Sequence, residues 1–213
     1  MTVANFDFVL LCVFMTIYIS ESIFVIYVLK LIIGLGNPGR SYKNHRHNIG
    51  FMIIERLAQK HDLDLSKKTF GSKMGKGKID GSLVVLAEPE TYMNRSGIAV
   101  APLVGFYKCD LQDLIVVHDD IDLEFGRIKL VKGAGHGGHN GVKSISEELG
   151  TDDYVRVRVG VDRPVGNMDP ADYVLQNFSE EQKRILDEVI DKSSESILCI
   201  MKEGLVVAQQ RYH

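Results

Sequence analysis

The sequence KLIIGLGNPG (residues 30–39) places a short apolar run directly before a turn rich in glycine and proline. An apolar run of this length that ends at turn residues is typical of a buried β-strand. The segment that follows, Asn48–His61, carries its apolar side chains at the spacing of one helical face. A buried strand followed by an amphipathic helix is the building unit of an α/β fold, so this stretch sets the expected fold class.

The same alternation of strands and helices continues to the end of the chain. Short apolar or alternating runs predict further strands at Lys73–Ile79, Leu83–Glu88, Leu114–Val117, Arg127–Val131 and Tyr154–Val161. Helical patterns cover Ser96–Tyr107 and Gly141–Leu149, and a capping box at Ser179 opens a long final helix that we expect to reach roughly Gln210. We therefore predict a single α/β domain, in which a mixed twisted β-sheet is flanked by helices as a three-layer sandwich of the phosphorylase/hydrolase-like type.

The composition is that of an ordinary globular domain. The chain has 213 residues, 45% hydrophobic and 25% charged, with a formal net charge of −3. These values disfavour a disordered tail protein, a collagen and a polytopic membrane protein. The cysteines, Cys12, Cys109 and Cys199, form no C-x-x-C motif, and we expect free thiols in a reducing cytoplasm.

Residues 1–29 differ from the rest of the chain. Asp7 and Glu21 are their only charged side chains, and the apolar length from Phe8 onward is sufficient to span a membrane. A charge at Glu21 would lie inside that span, however, and the first residues lack the positive charge of a secretion signal. We interpret residues 1–29 as an apolar extension that reflects a misassigned start of translation, with a membrane anchor as the less favoured alternative. Residues 30–213 then form the functional domain.

The turn GLGNPG (residues 34–39) has the glycine spacing of a dinucleotide-binding loop. In such a loop the glycines open a helix at once, and an acidic residue ends the next strand. Here Pro38 lies within the turn and Asp62 follows a helix, which disfavours an NAD-dependent oxidoreductase. The turn instead presents the Asn37 amide, both donor and acceptor, at the C-terminal end of a strand, where open α/β sheets place their sites.

His47 and Asp119 are the candidate acid–base pair. His47 stands at the start of the first helix, close to the strand-end turn, and a neutral imidazole is a suitable base near neutral pH. Asp119 follows the apolar strand Leu114–Val117, so its carboxylate is expected at the same edge of the sheet. A carboxylate there would orient the imidazole and stabilise its protonated form.

The acidic run after that strand also resembles the start of a calcium loop, through Asp120, Asp122 and Glu124. Phe125 stands where that loop needs glycine, and Val131 stands where it needs its last acidic ligand. A magnesium hydrolase would require a second acidic cluster, which the sequence lacks.

Zinc is the other metal to consider, because His45, His47, His136 and His139 could supply ligands. Cysteine partners are missing from these stretches, and glycines as dense as those around His136 are better suited to a substrate cradle. We therefore expect no metal and no cofactor.

The glycine-rich stretch GAGHGGHNG (residues 133–141) allows the backbone to approach a ligand closely. Asn140 in this stretch and Asn94 in TYMNRSG (residues 91–97) add two more amides on turns to that of Asn37. Three such amides around one base could bind amide and hydroxyl groups and stabilise an oxyanion. Basic side chains cluster near the same stretch and could bind nucleic-acid phosphates: Lys129, Lys132, Lys143, Arg156 and Arg158.

Taken together, these motifs resemble bacterial-type peptidyl-tRNA hydrolase. GLGNPG, Tyr42, Arg46-His47-Asn48, TYMNRSG, HDDID and GHGGHNG occur in the family's order and spacing across Lys30–His213. The resemblance implies an enzyme that hydrolyses the ester between a peptide and the 3′ end of tRNA. It also implies a cytoplasmic monomer that needs no metal, no obligatory protein partner and no membrane.

The resemblance assigns roles to individual residues. His47 would activate water and Asp119 would orient His47, while Tyr42 would line the cleft. The peptide end and the terminal CCA of tRNA would be bound by Asn37, Met93, Asn94 and Asn140, and the tRNA backbone by Lys129, Lys143 and Arg158. A non-catalytic RNA-binding protein with the same cradle is the alternative, and the presence of both His47 and Asp119 favours the enzyme.

Overall fold

The computed structural model describes residues 29–213. The predictions on the start of translation, on a membrane anchor and on Cys12 concern residues outside this range. Within the described part of the chain, no helix combines the length and the apolar character that crossing a bilayer requires.

One mixed sheet forms the centre of the molecule. Its seven strands are arranged in the order β2-β3-β4-β1-β5-β7-β6. Strands β4, β1, β5 and β7 run parallel, whereas β2, β3 and β6 pair antiparallel with their neighbours. The strands are β1 (Leu29–Gly34), β2 (Lys67–Thr69), β3 (Ser72–Ile79), β4 (Ser82–Pro89), β5 (Leu114–Asp120), β6 (Ile128–Lys132) and β7 (Val155–Gly160).

Helices cover both faces of the sheet and complete the three predicted layers. They are α1 (Ile49–Lys60), α2 (Ser96–Tyr107), α3 (Asn140–Leu149), α4 (Pro170–Val174), α5 (Glu180–Glu203) and α6 (Leu205–Tyr212). One apolar core joins α1 and α5 to the sheet, and a second core on the other face joins α2 and α3. The α/β sandwich expected from the sequence is therefore confirmed.

The final helix is a correction to the sequence prediction. Instead of one helix to Gln210, α5 ends at Glu203 and α6 begins at Leu205. Gly204 separates them with a φ of 87°, a conformation that costs a residue without Cβ little. The break turns α6 onto the edge strand β6, where the Gln209 side chain donates to the carbonyl of Leu130 at 2.9 Å.

Close backbone contact brings the first helix onto the end of the first strand. A Cβ on Gly34 would lie 2.3 Å from the carbonyl oxygen of Gly50, and one on Gly50 would lie 2.4 Å from the backbone nitrogen of Leu35. Only glycine fits at either position. The segment just before α1 is thereby held against the C-terminal ends of β1 and β5.

Candidate active site

A cavity of about 650 Å³ opens at the C-terminal ends of β1 and β5. Seven of the residues predicted for the site line it: Asn37, His47, Met93, Asn94, Asp119, Asn140 and Arg158. Tyr42 is not among its lining residues; its ring lies against that of His45, with centroids 5.3 Å apart. Lys129 and Lys143 are exposed outside the cavity.

His47 and Asp119 form the hydrogen-bonded pair that the sequence predicted. The His47 Nδ1 atom lies 2.8 Å from Oδ1 of Asp119. His47 belongs to a 3-10 helix (Arg46–Asn48) directly before α1, whereas Asp119 lies near the end of β5. Because Nδ1 is held by the carboxylate, Nε2 is the nitrogen that remains to accept a proton from a ligand.

A second histidine, His139, contacts the same carboxylate oxygen. Its Nε2 atom lies 3.0 Å from Oδ1 of Asp119, while its Nδ1 accepts hydrogen bonds from the backbone N–H groups of Gly141 and Val142. An imidazole whose Nδ1 accepts must carry its proton on Nε2 when neutral. His139 is therefore the N-cap of α3 and a donor to Asp119 at once. The sequence suggested it only as a zinc ligand, although its position just before a helix was the available signal.

The charges of this cluster follow from burial and hydrogen bonding. Burial alone would raise the pKa of Asp119, but His47 and His139 outweigh it and hold that pKa well below its usual range. Burial lowers the pKa of His139, and burial together with His139 lowers the pKa of His118, whose Nδ1 lies 2.7 Å from the Asp119 carbonyl oxygen. The Asp119 carboxylate thus contacts His47 and His139, while His118 contacts the backbone carbonyl of the same residue.

The turn after β1 is fixed by one amide side chain. Asn48 donates from Nδ2 to the carbonyl of Asn37 at 2.9 Å and accepts from the Asn37 backbone N–H at 3.0 Å. The side chain of Asn37 in turn accepts from the backbone N–H of Met93 at 2.9 Å through Oδ1. This leaves the Nδ2 group of Asn37 as a donor at the cavity wall. Neither role of Asn48 was predicted from the sequence.

Arg156 requires a correction. The sequence placed it among the candidate phosphate ligands, but its side chain is only 1% exposed. Its guanidinium donates to the carbonyl oxygens of Ala134 and Gly135 under the glycine-rich loop, and burial lowers its pKa. Arg156 therefore supports the loop that carries His139 and is not available to nucleic acid.

The other basic side chains of this region are accessible. Lys129 and Arg158 are cross-strand neighbours on β6 and β7, and Arg158 forms an ion pair with Asp120. Lys143 is exposed in the first turn of α3, one turn beyond Asn140. Lys132 lies 3.3 Å from Asp153 in an ion pair.

One wall of the cavity was not predicted from the sequence. The short helix α4 and Leu175 supply its apolar side through Pro170, Ala171, Val174 and Leu175. Arg46 lies next to His47 in the 3-10 helix and contacts α4. Its guanidinium lies 4.1 Å from the centroid of the Tyr173 ring and donates to Oε1 of Gln182 at 3.1 Å.

The structure brings together only part of the zinc-ligand set that the sequence suggested. The candidate ligand atoms of His47, Asp119 and His139 lie within 4.8 Å of one another, but neither His45 nor His136 belongs to this group. Nδ1 of His47 and Nε2 of His139 already form hydrogen bonds to Oδ1 of Asp119.

Comparison with known proteins identifies the family of this chain. The family described as peptidyl-tRNA hydrolase matches residues 31–213. A peptidyl-tRNA hydrolase of Geotalea daltonii is 45% identical over 184 residues, spanning 86% of this chain and 96% of its own length. One of Rhodococcus erythropolis is 47% identical over 185 residues, spanning 86% and 97%. The crystal structure of peptidyl-tRNA hydrolase from Acinetobacter baumannii, 34% identical, matches 87% of this chain and 95% of its own with a TM-score of 0.81. This chain therefore belongs to the peptidyl-tRNA hydrolase family.

Proposed function

We propose that this protein hydrolyses the ester between a peptide and the 3′ ribose of tRNA, with His47 as the general base. The observation that carries the proposal is the His47–Asp119 hydrogen bond of 2.8 Å at the wall of a cavity lined by asparagine amides. Membership of the peptidyl-tRNA hydrolase family supports the substrate class.

The reaction begins when a water molecule attacks the ester carbonyl. His47 takes a proton from this water at Nε2 while the new carbon–oxygen bond forms, and ionised Asp119 stabilises the resulting imidazolium. The carbonyl oxygen becomes an oxyanion. The side-chain amides of Asn37, Asn94 and Asn140 are the candidate donors to this oxyanion, because all three residues line the cavity.

The intermediate then collapses. The bond between the carbonyl carbon and the ribose oxygen breaks, and His47 returns its proton to that oxygen, which releases tRNA with a free hydroxyl. The peptide leaves as a carboxylic acid, which still carries the second proton of the water and loses it to solvent. An ester needs no covalent enzyme intermediate for this. A base contributes about 10²–10⁴-fold, and one oxyanion donor contributes about 10²–10³-fold more.

Substrate binding divides between two groups of residues. Asn37, Met93, Asn94 and Asn140 line the cavity, where the peptide end and the CCA terminus meet. Lys129, Lys143 and Arg158 offer positive charge to the tRNA backbone beside it. We keep Tyr42 as a candidate only for contacts outside the cavity.

The test is a comparison of the wild-type protein with His47→Ala on N-blocked aminoacyl-tRNA. We expect turnover to be lost and tRNA affinity to be retained, because His47 contributes to the chemistry and not to phosphate binding. Release of peptide by His47→Ala at the wild-type rate would refute the mechanism. A protein that binds tRNA but cleaves no N-blocked aminoacyl-tRNA would instead be the non-catalytic RNA-binding alternative.

We further propose that the enzyme works as a cytoplasmic monomer. The two cysteines in the described range, Cys109 and Cys199, are buried free thiols, which suit a reducing compartment. His47, Asp119 and the three asparagines assemble one cavity within a single chain, which supports a monomer. Sedimentation at working concentration measures the oligomeric state directly.

A further inference from the structure

The outer face of α2 is unusual for a helix at the surface. This helix, SGIAVAPLVGFY, contains no charged side chain. Val100 and Leu103 on its inner face are buried, whereas Ile98 is 47% exposed and Phe106 is 65% exposed. Surface helices usually carry charged or polar residues on the solvent side, and contiguous apolar surface of this kind marks a binding site.

The exposed apolar surface begins at the cavity. Tyr92, 60% exposed, lines the cavity and precedes the turn into α2. At the far end, the ring of Phe70 lies 5.1 Å from that of Phe106, centroid to centroid. We call the set of Tyr92, Ile98, Pro102, Phe106 and Phe70 the α2 stripe.

The α2 stripe and two of the basic side chains lie on opposite sides of the site. Asn37 and Asp119 follow or end the central strands β1 and β5. The chain enters α2 from β4 on one side of this pair, while Lys129 and Arg158 lie on β6 and β7 on the other side. The stripe thus leads away from Lys129 and Arg158, although Lys143 lies on the adjoining helix α3 and Lys67, Lys68 and Lys76 lie on the strands beyond β4.

We propose that the α2 stripe binds the peptide part of peptidyl-tRNA, beyond the residue that is esterified to the ribose. This inference rests on the proposed function, because the substrate it describes consists of a polyanion and a peptide joined at the scissile bond. Continuity of the stripe with the cavity through Tyr92 supports the assignment. Flat apolar contact would favour apolar peptides without demanding one sequence.

The length of the stripe limits how much peptide it can hold. A helix of 12 residues extends for about 18 Å. An extended peptide advances about 3.3 Å per residue, so about five residues fit along it. RNA is the competing occupant, because a single strand that stacks on aromatic rings needs cations for its phosphates. The helix α2 supplies none within its length, but Arg95 and Lys108 lie at its two ends.

The experiment uses the full protein and three substrates on the same tRNA. These are an N-acetylated single residue, a six-residue peptide rich in leucine and valine, and a six-residue peptide rich in serine and glycine. For the wild-type protein we expect kcat/KM on the apolar peptide to exceed that on the polar peptide by about fivefold to tenfold, which corresponds to partial burial of a few apolar side chains.

The variants Ile98→Ser and Phe106→Ser should abolish this difference and leave the single-residue substrate unchanged. Ile185→Ser and Val206→Ser are matched controls, since these side chains are also exposed (45% and 67%) but lie on α5 and α6. Affinities of the three substrates for His47→Ala, measured by fluorescence anisotropy, provide the same comparison without turnover. Equal affinities for the two six-residue peptides would contradict peptide binding by the α2 stripe. Absence of turnover in the wild-type protein would instead contradict the proposed function.

Three outcomes would overturn the proposal. The first is equal kcat/KM and equal affinity for both six-residue peptides in the wild-type protein. The second is a loss of affinity in Phe106→Ser that is equal for all three substrates and for tRNA without an esterified amino acid. That result would assign the stripe to RNA binding. The third is a dimer that Phe106→Ser dissociates without changing peptide preference, which would assign it to a second copy of the chain.

Discussion

Oδ1 of Asp119 lies 2.8 Å from Nδ1 of His47, although the two residues come from different layers of the fold. Asp119 is carried by the central strand β5 and is only 3% exposed, whereas His47 is carried by the 3-10 helix before α1. The glycine contacts between β1 and α1 fix the distance between these elements. His47, the base in the proposed mechanism, is therefore oriented before any substrate binds.

Asp119→Asn should lower kcat by about 10²–10⁴-fold. The oxygen of an asparagine can still accept from the two imidazoles that share Oδ1, but its neutral amide lacks the negative charge that stabilises the imidazolium of His47. We expect tRNA affinity to change little. Steady-state kinetics on N-blocked aminoacyl-tRNA measures the effect, with Asp191→Asn, which removes a surface ion pair to Lys60, as the control. A kcat at the control level would contradict the role of Asp119.

Lys143→Ala should change the salt dependence of tRNA affinity, whereas Arg156→Met should change kcat. Lys143 is exposed, so its loss should weaken tRNA binding and reduce the slope of log affinity against log salt by about 0.7–0.9. Arg156 is buried under the glycine-rich loop, so its loss should lower kcat and leave the salt slope unchanged. Titrations of tRNA at several salt concentrations separate the two. A reduced slope in Arg156→Met would show that the guanidinium reaches the RNA after all.

Glu88→Gln should stabilise the protein at alkaline pH. Burial of this carboxyl on β4, together with Glu55, raises its pKa to about 7 from an ordinary value of 4.5. The folded protein therefore holds a proton there that the unfolded chain releases between these values, so stability falls as pH rises through that window. The glutamine variant avoids this cost, which amounts to about 3 kcal/mol at most.

Thermal unfolding at two pH values tests this expectation. The midpoint of Glu88→Gln should exceed that of the wild-type protein at pH about 8.5 and approach it at pH about 4.5, on either side of the window set by the two pKa values. Neutralising Glu88 removes its ion pair with Lys73, at 3.6 Å. This costs little stability because the Lys73 side chain is 41% exposed and remains solvated. An equal change at both pH values would mean that Glu88 does not titrate in this range.

A chelator should leave turnover unchanged. His47, Asp119 and His139 satisfy one another by hydrogen bonds, and the proposed mechanism uses His47 as a base. Added Zn²⁺ should inhibit, because it competes for the same nitrogen and oxygen atoms. Rates measured after dialysis against EDTA provide the test. Loss of activity that stoichiometric Zn²⁺ restores would replace the base mechanism with a metal mechanism.

Local patterns in the sequence are sufficient to predict most of the fold. Helix α2 has the predicted bounds, Ser96–Tyr107. The proximity of His47 and Asp119 follows from a general rule, that parallel strands end at the same edge of a sheet. Gly204 is the residue type that permits the break between α5 and α6, but the periodicity of the segment predicts one continuous helix.

The remaining features depend on contacts between distant segments. The alternation YVRVRVGV around β7 predicts one solvated basic face, but the glycine-rich loop covers that face at Arg156. Leu175 and α4 form a wall only because Arg46, more than a hundred positions earlier, stacks on Tyr173. No spacing rule connects such positions, so sequence patterns alone could not predict these contacts.

The imidazole of His139 couples the folding of helix α3 to the hydrogen bonding of the Asp119 carboxylate. It accepts the N–H groups of Gly141 and Val142 in the first turn of α3 while it donates to Asp119. Fraying of that turn therefore releases Asp119 from one of its two donors. The exchange rates of the Gly141 and Val142 amide protons with solvent deuterium thus report, residue by residue, how often the resting enzyme leaves its competent arrangement.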